Sequence, residues 1–192
     1  MTHTRNLIRK QLRKQRRALT PEEQQTSAEQ VCERLSALSQ WQHAEHIAIY
    51  LSVDGELSTQ PIIEQCWKIG KSVYLPVLHP FRKGHLLFQS YTPDTPMCIN
   101  SLKIKEPKLN CQQIKPINQL DMLLTPLVAF DPQGNRLGMG GGFYDRTMAN
   151  LNGHVRRIGV AHDLQCYPEL PIADWDEPLH QILTPSKKWD WS

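Results

Sequence analysis

Asp121-Met122-Leu123-Leu124-Thr125-Pro126-Leu127-Val128-Ala129-Phe130, followed by Gly138-Met139-Gly140-Gly141-Gly142-Phe143-Tyr144-Asp145-Arg146, decides the fold. The first stretch reads as a buried central strand, Leu120 to Phe130, broken at Pro126. Between the two lies Asp131-Pro132-Gln133-Gly134, a turn by composition. Four glycines in the second stretch free the backbone for positive φ and for close approach to a ligand. Consecutive N–H groups in such a turn can converge on an anion. The run Arg146-Thr147-Met148-Ala149-Asn150-Leu151 can begin a helix whose first N–H groups add to that site. Strand, glycine-rich loop and helix, in that order, is an α/β phosphate-binding arrangement.

Two familiar phosphate motifs are excluded. A Walker A loop requires G-x-x-x-x-G-K-[ST], and no Lys-Ser or Lys-Thr follows these glycines. A dinucleotide fingerprint requires G-x-G-x-x-G, and counted from Gly138 its last place is Phe143. A ligand-free surface turn is the competing reading of the glycines. The attached Tyr144-Asp145-Arg146, with an aromatic, a carboxylate and a guanidinium, weighs against it.

The rest of the chain alternates strand and helix. Residues 5 to 19 carry seven Arg or Lys and no acid, in good helix formers, with Arg5, Arg9 and Arg13 sharing a face at i+4 spacing. This basic helix has three readings: a solvated face, a nucleic-acid or targeting segment, or a phosphate clamp folded against the glycine loop. Thr20-Pro21-Glu22-Glu23 is a capping-box helix start, and Ala28, Val31, Leu35 and Leu38 give its apolar stripe. His46 to Leu51 reads as a strand opening into Ser52-Val53-Asp54-Gly55-Glu56. Ligands of open α/β sheets sit beyond the carboxyl ends of strands, which marks Glu56, although a solvated loop acid or a helix cap is the bland alternative. Residues 59–70 read as a helix, and 71–77, 86–91, 157–162 and 181–184 as strands. The proline-rich segment 92–116 reads as a long excursion with one turn of helix. The pattern predicts an α/β fold of three layers, a mostly parallel open sheet flanked by helices with the basic helix at the N-terminus, in one domain over residues 1–192.

Composition bounds the function. A length of 192 residues suits one domain, and a net charge of +3 does not by itself argue for nucleic acid. Five scattered cysteines without C-x-x-C argue against a disulfide framework or a zinc site and fit a reducing cytosol. No apolar run approaches the ~18 residues of a membrane-spanning helix, and residues 1–17 lack the apolar core of a secretory signal. His43 and His46 have no third partner at ligand spacing, so a transition metal is not expected.

The stretch Asn135-Arg136-Leu137-Gly138-Met139-Gly140-Gly141-Gly142-Phe143-Tyr144-Asp145-Arg146 closely resembles the loop of the 5-formyltetrahydrofolate cyclo-ligase family, also called methenyltetrahydrofolate synthetases. The resemblance extends over nearly the whole chain, through the basic N-terminal helix, Tyr50-Leu51-Ser52-Val53-Asp54-Gly55-Glu56, Leu75-Pro76-Val77, Lys105-Glu106-Pro107 and Thr125-Pro126-Leu127-Val128-Ala129-Phe130-Asp131, and is strongest to the bacterial branch. It implies a cytoplasmic, monomeric enzyme acting on small molecules, a reduced folate and ATP, with Mg2+, and binding neither nucleic acid nor membrane. Nucleotide contacts are implied for Arg5, Asn6, Leu7, Ile8 and Arg9, and for Arg136, Leu137, Gly138, Met139, Gly140, Gly141, Gly142, Phe143 and Tyr144. Folate contacts are implied for Leu51, Glu56, Met139, Gly140, Gly141, Gly142 and Phe143. Metal contacts are implied for Asp145 and Asp176, and catalytic roles for Glu56, Tyr144 and Arg146. Asp145 read from its position alone is equally a helix cap.

Some relatives carry Lys where this chain has Gly141, and many carry Tyr where it has Phe143. One cation and one phenol are thus absent from the loop. Readings from other classes remain open at this level: a sugar-phosphate isomerase or CoA-transferase relative, a nucleic-acid-binding module using the basic helix, and a non-catalytic nucleotide sensor. ATP-dependent turnover separates the cyclo-ligase from all three.

Overall fold

The computed structural model describes residues 2–149, 151 and 153–191. Five helices, α1 (Thr2–Arg17), α2 (Pro21–Ser36), α3 (Ser39–His43), α4 (Gln60–Lys68) and α5 (Phe143–Met148), surround one large sheet. Its parallel centre is β1 (His46–Ala48), β2 (Ser72–Leu78), β7 (Met122–Thr125), β10 (Arg156–Val160) and β11 (Gln181–Leu183). The edges are β3 (Leu86–Ser90), β6 (Ile114–Lys115) and β12 (Lys188–Asp190). The strand order is β12-β11-β10-β7-β1-β2-β3-β6. Pairing is parallel from β11 through β10, β7 and β1 to β2, and antiparallel at β12, β3 and β6. The mostly parallel α/β sheet is therefore as expected, with antiparallel strands closing both sides.

The period-2 pattern of the central strands sorts side chains to two faces. Ile47, Ile49, Met122, Leu124, Ile158 and Val160 face Val31, Leu35, Trp41, Ile62, Ile63 and Cys66 from α2, α3 and α4. Ala48, Leu123 and Ile182 face Phe130, Met148, Leu179 and Leu127. Each of these fully buried large side chains contributes roughly 1.5–3 kcal/mol. Gly159 sits where the second face is tightest: a Cβ there would lie 2.7 Å from Leu179 and 2.8 Å from Leu127. The second layer consists of α5 and the loops around Leu127, Leu151 and Leu179.

The start of α2 is as its sequence demands. Glu23 Oε2 accepts from the Thr20 N–H at 2.7 Å, and Thr20 Oγ1 accepts from the Glu23 N–H at 3.2 Å, completing the capping box. Pro126 does break the central strand: β7 stops at Thr125, and Ala129–Phe130 (β8) turns aside to pair with Arg136–Leu137 (β9).

Three expectations are corrected. The helix after the glycines begins at Phe143, not Arg146, and ends at Met148 before Leu151, while Asn150 lies outside the described residues. The 92–116 excursion holds the expected single helical turn, at Cys111–Gln113, but also a hairpin, Met97–Ile99 (β4) with Lys105–Pro107 (β5). Strands of three residues are too short to show a period. The strand at 181–183 is not the last, because Lys188–Asp190 folds back beside it.

Candidate functional site

The site lies beyond the carboxyl ends of β1, β7 and β10, where the loops 49–56, 126–142 and 161–165 meet α1. Ile8 and Leu12 of α1 pack with Val128, Ala129, Leu137 and Leu170, which fixes the basic helix across the β8–β9 hairpin. The arginines of its inner face then reach three separate targets. Arg5 donates to both carboxylate oxygens of Asp176, at 2.6 and 2.8 Å. Arg9 Nε donates to the Gly138 carbonyl at 2.8 Å, and its Nη1 to Asn6 Oδ1 at 2.8 Å. Arg13 and Arg16 both close on Asp54, at 2.6 and 2.9 Å. The solvated-face reading of this helix is thus restricted to its outer side, where Leu7, Lys10 and Lys14 are exposed.

The glycine loop is shaped by positive φ at Gly140 (100°) and Gly142 (66°). A Cβ on Gly142 would lie 2.6 Å from Arg146 Nη1, so any side chain there would also have to displace that guanidinium. Arg146 spans two segments: its Nη2 donates to the Gly141 carbonyl and its Nε to the Gly84 carbonyl at 3.0 Å. Its guanidinium also lies 5.8 Å from the Phe143 ring centroid. Gly142 caps α5 by its backbone alone, so Asp145 is not the cap. Instead Asp145 pairs with Arg136, whose side chain is 2% exposed. Arg136 Nε is buried without a hydrogen-bond partner. A buried, half-satisfied guanidinium beside a glycine loop is suited to an anion.

On the inner side, Glu56 is buried, and its Oε2 accepts from the Val53 N–H at 3.0 Å. Burial pushes its carboxyl up to about 6, against the opposing pull of that hydrogen bond and of Arg16. Tyr144 is half-buried overall, but its hydroxyl is sealed from solvent and has no hydrogen-bond partner. Burial and the nearby Glu56 charge push that phenol up. Tyr50, wholly buried, is raised for the same two reasons. His162, at the end of β10, is pushed down to about 4 by burial.

The sequence-derived residues thus fall into two adjoining sets. Arg5, Arg9, Arg136, Arg146 and the glycine loop form a cationic rim with Asp145 and Asp176 among them. Glu56 and the Tyr144 hydroxyl lie buried behind that rim, with Leu51 packed against the adjacent core. Met139 is exposed at the junction, its sulfur 3.8 Å from Arg16 Nη2. Ile8 and Leu137 are buried in packing, so their side chains do not face a ligand. Asn6 acts on Arg9. Arg16 and Asp54 were missed by sequence reading. The signal was present: the stripe Arg5, Arg9, Arg13 continues to Arg16 one turn further, and Asp54-Gly55 is a turn pair beside it.

For magnesium, the donor set is two carboxylates, Asp145 and Asp176, and among the described residues no group of three or more His, Cys, Asp or Glu converges. Few protein carboxylates beside an anion-binding loop fit a magnesium ion that takes its remaining ligands from phosphate and water. They do not fit a closed protein cage.

A glycine loop at the carboxyl end of a mostly parallel sheet, beside a buried carboxylate, stands where α/β enzymes carry their sites. Residues 1–185 match the model of the 5-formyltetrahydrofolate cyclo-ligase family. The chain is 52% identical to the 5-formyltetrahydrofolate cyclo-ligase of Escherichia coli K12 over 94% of its own length and 100% of the relative's. It is 50% identical to the Haemophilus influenzae enzyme of the same name, over 95% and 98%. Its fold is similar to the NMR structure of Aquifex aeolicus 5,10-methenyltetrahydrofolate synthetase, with a TM-score of 0.82 and 26% identity over 97% and 92% of the two chains. The chain belongs to the 5-formyltetrahydrofolate cyclo-ligase family, and is an enzyme of that class.

Proposed function

We propose that the protein cyclises 5-formyltetrahydrofolate to 5,10-methenyltetrahydrofolate at the expense of MgATP, releasing ADP and phosphate. The single observation that carries this reading is the contact of Arg9 with the Gly138 carbonyl, which brings the basic helix onto the glycine loop. It makes one anion site from two distant parts of the chain.

The formyl oxygen attacks the γ-phosphorus, an O–P bond forms, and the bond to the β-phosphate oxygen breaks with departure of ADP. The phosphorylated imidate is then attacked at carbon by N10. Loss of the N10 proton and of phosphate closes the methenyl bridge. Phosphoryl transfer asks mostly for positioning and charge neutralisation. The Gly138–Gly142 amides and Arg5, Arg9, Arg136 and Arg146 have the chemistry to hold the phosphates. Asp145 and Asp176 would hold the magnesium ion, which supplies charge neutralisation between the phosphates. Glu56, raised to about 6, is the group suited to contact the folate and receive the N10 proton near neutrality. The Tyr144 hydroxyl has no partner in the protein, and its catalytic role would require it to open toward the reacting formyl group. Leu51, Met139 and Phe143 offer apolar surface to the pteridine.

The test is absorbance in the methenyl-folate band with purified protein, 5-formyltetrahydrofolate and MgATP. A rise that requires ATP is expected. No rise, in protein shown to be folded, sinks the reading.

A further inference from the structure

Three hydrogen bonds to oxygen commit the guanidinium of Arg16, which is wholly buried. Nε donates to the Asp54 carbonyl at 2.9 Å, Nη2 to Asp54 Oδ2 at 2.9 Å, and Nη1 to the Leu127 carbonyl at 3.2 Å. Glu56 Oε1 lies 3.7 Å from the same Nη2, too far for a hydrogen bond. Nη2 thus gives its hydrogen bond to the Asp54 carboxylate and only a longer ion pair to Glu56. The turn is fixed for this purpose by unusual means. Asp54 is one of two non-glycine residues with positive φ among those described (54°), and Gly55 follows at 74°. A Cβ on Gly55 would lie 3.0 Å from the Arg16 carbonyl. Gln24 of α2 donates to both the Arg16 and the Gly55 carbonyls, at 3.2 and 3.3 Å. Arg13 and Arg17 add a second and third cation to Asp54, at 2.6 and 3.2 Å.

We infer that Asp54 is a positioning residue for the reaction: by holding Arg16 in hydrogen bonds, it keeps the guanidinium at ion-pair distance from Glu56 without donating to it, and so leaves the Glu56 carboxylate able to exchange a proton with the folate. The inference rests on the role given to Glu56 above. Every charged or titratable group facing Glu56 bears on it. Arg13 and Arg16 of α1 favour its ionised form, and Asp54 opposes it. Tyr50 at the end of β1 and Tyr144 of α5 both lie within its electrostatic reach. His162, at the end of β10, lies beside Gly55 and within the electrostatic reach of Arg16. Removing the Asp54 charge lowers the Glu56 carboxyl in two ways: one repelling neighbour disappears, and the charge-assisted hold on the Arg16 Nη2 weakens to that of a neutral acceptor, so that it can shift toward Glu56. A new Arg–carboxylate pair is expected to move it down by at least about one pH unit.

The experiment compares the wild type with Asp54→Asn, which keeps the side-chain shape and tolerates positive φ. Asp54→Gly serves as the second variant should the first fold poorly, with circular dichroism as the check. In the pH profile of kcat/KM for the folate, the acid limb should move down by about one unit or more, while KM for ATP stays within about twofold. The ATP contacts are expected to persist because Arg5 and Arg9 have their own anchors at Asp176 and Gly138. An unmoved acid limb with a raised KM for ATP would make Asp54 a mere tether for α1 and overturn the inference. A direct readout separates this from the functional reading. Carbon-13 NMR titration of labelled glutamates, with Glu56 assigned through Glu56→Gln, follows the Glu56 carboxyl without turnover. A downward shift in Asp54→Asn upholds the inference even in a protein with no cyclo-ligase activity. Superimposable titration curves refute it even in an active one.

Discussion

Arg5 and Asp176 form a two-pronged ion pair across 171 residues, joining the first turn of the chain's first helix to a loop near its end. Asp176 also accepts from the Ala173 N–H at 2.9 Å, so its loop is closed on itself before the arginine arrives. Burial raises the Asp176 carboxyl, but the Arg5 hydrogen bonds and the Ala173 N–H outweigh it and hold the group below the usual carboxylate range. The carboxylate is thus ionised across the physiological range and available to a cation. If it takes one, Arg5 must release it and turn to the phosphates. On the proposed function the ion pair would therefore have to exchange for MgATP.

Replacing Asp176 by Asn is therefore expected to raise the magnesium concentration for half-maximal turnover about tenfold, with folate KM unchanged. A tenfold change corresponds to about 1.4 kcal/mol, modest for one oxygen ligand. Turnover measured against magnesium at fixed ATP decides it. An unchanged requirement would remove Asp176 from the metal site and leave it as the anchor of Arg5.

Asp145 needs a more careful substitution. Its partner Arg136 is almost wholly buried, so Asp145→Ala would strand a guanidinium and cost about 3–5 kcal/mol of stability. Loss of activity in that variant alone would prove little. Asp145→Asn keeps an acceptor for Arg136 and is expected to lose turnover more than about 100-fold, with a far smaller loss of Tm than the alanine variant. Equal losses of Tm in both variants, or full activity in either, would end the magnesium assignment.

Much of this arrangement is legible in the sequence, and the parts that are not have physical reasons. The glycine loop announces itself because positive φ and close packing at Gly142 exclude other residues. The helix start at Thr20 is read from four residues because its capping box is local. Arg16 and Asp54 were not legible as a pair, since their contact spans 38 residues and depends on how α1 crosses the sheet. The role of Asp145 also turned on tertiary contact: by position it reads as a cap, but Gly142 already caps α5 and Arg136 claims the carboxylate. The edge strand Lys188–Asp190 does not show in the sequence because, unlike the apolar Ile-Ala and Ile-Leu runs of β1 and β11, it sets two charged residues around a single Trp.

Gly142→Ala tests the loop's shape. Its φ of 66° suits glycine, and an added Cβ would displace Arg146 from the Gly141 carbonyl. The expected result is a KM for ATP raised about tenfold or more, with stability lowered by about 1–2 kcal/mol, the cost of a non-glycine residue in the left-handed region. Unchanged kinetics with ATP as the varied substrate would separate the loop from the nucleotide.

His162 and Glu56 set opposing pH dependences of stability. The His162 imidazole is pushed down to about 4 by burial, from an ordinary value of 6.5. As pH falls below 6.5 the unfolded chain gains a proton there that the folded chain refuses, so stability is lost down to about pH 4. The full loss is about 3 kcal/mol, at about 1.4 kcal/mol per unit. Glu56 works the other way. Its folded carboxyl, at about 6, takes up its proton before the unfolded one does at 4.5. Lowering pH from 6 to 4.5 therefore returns about 2 kcal/mol. The wild type should show a shallow decline of stability over this range. His162→Gln should flatten or reverse it, and Glu56→Gln should steepen it. Urea unfolding from pH 4.5 to 7.5 measures all three, and parallel curves would show that neither group carries the shift assigned to it.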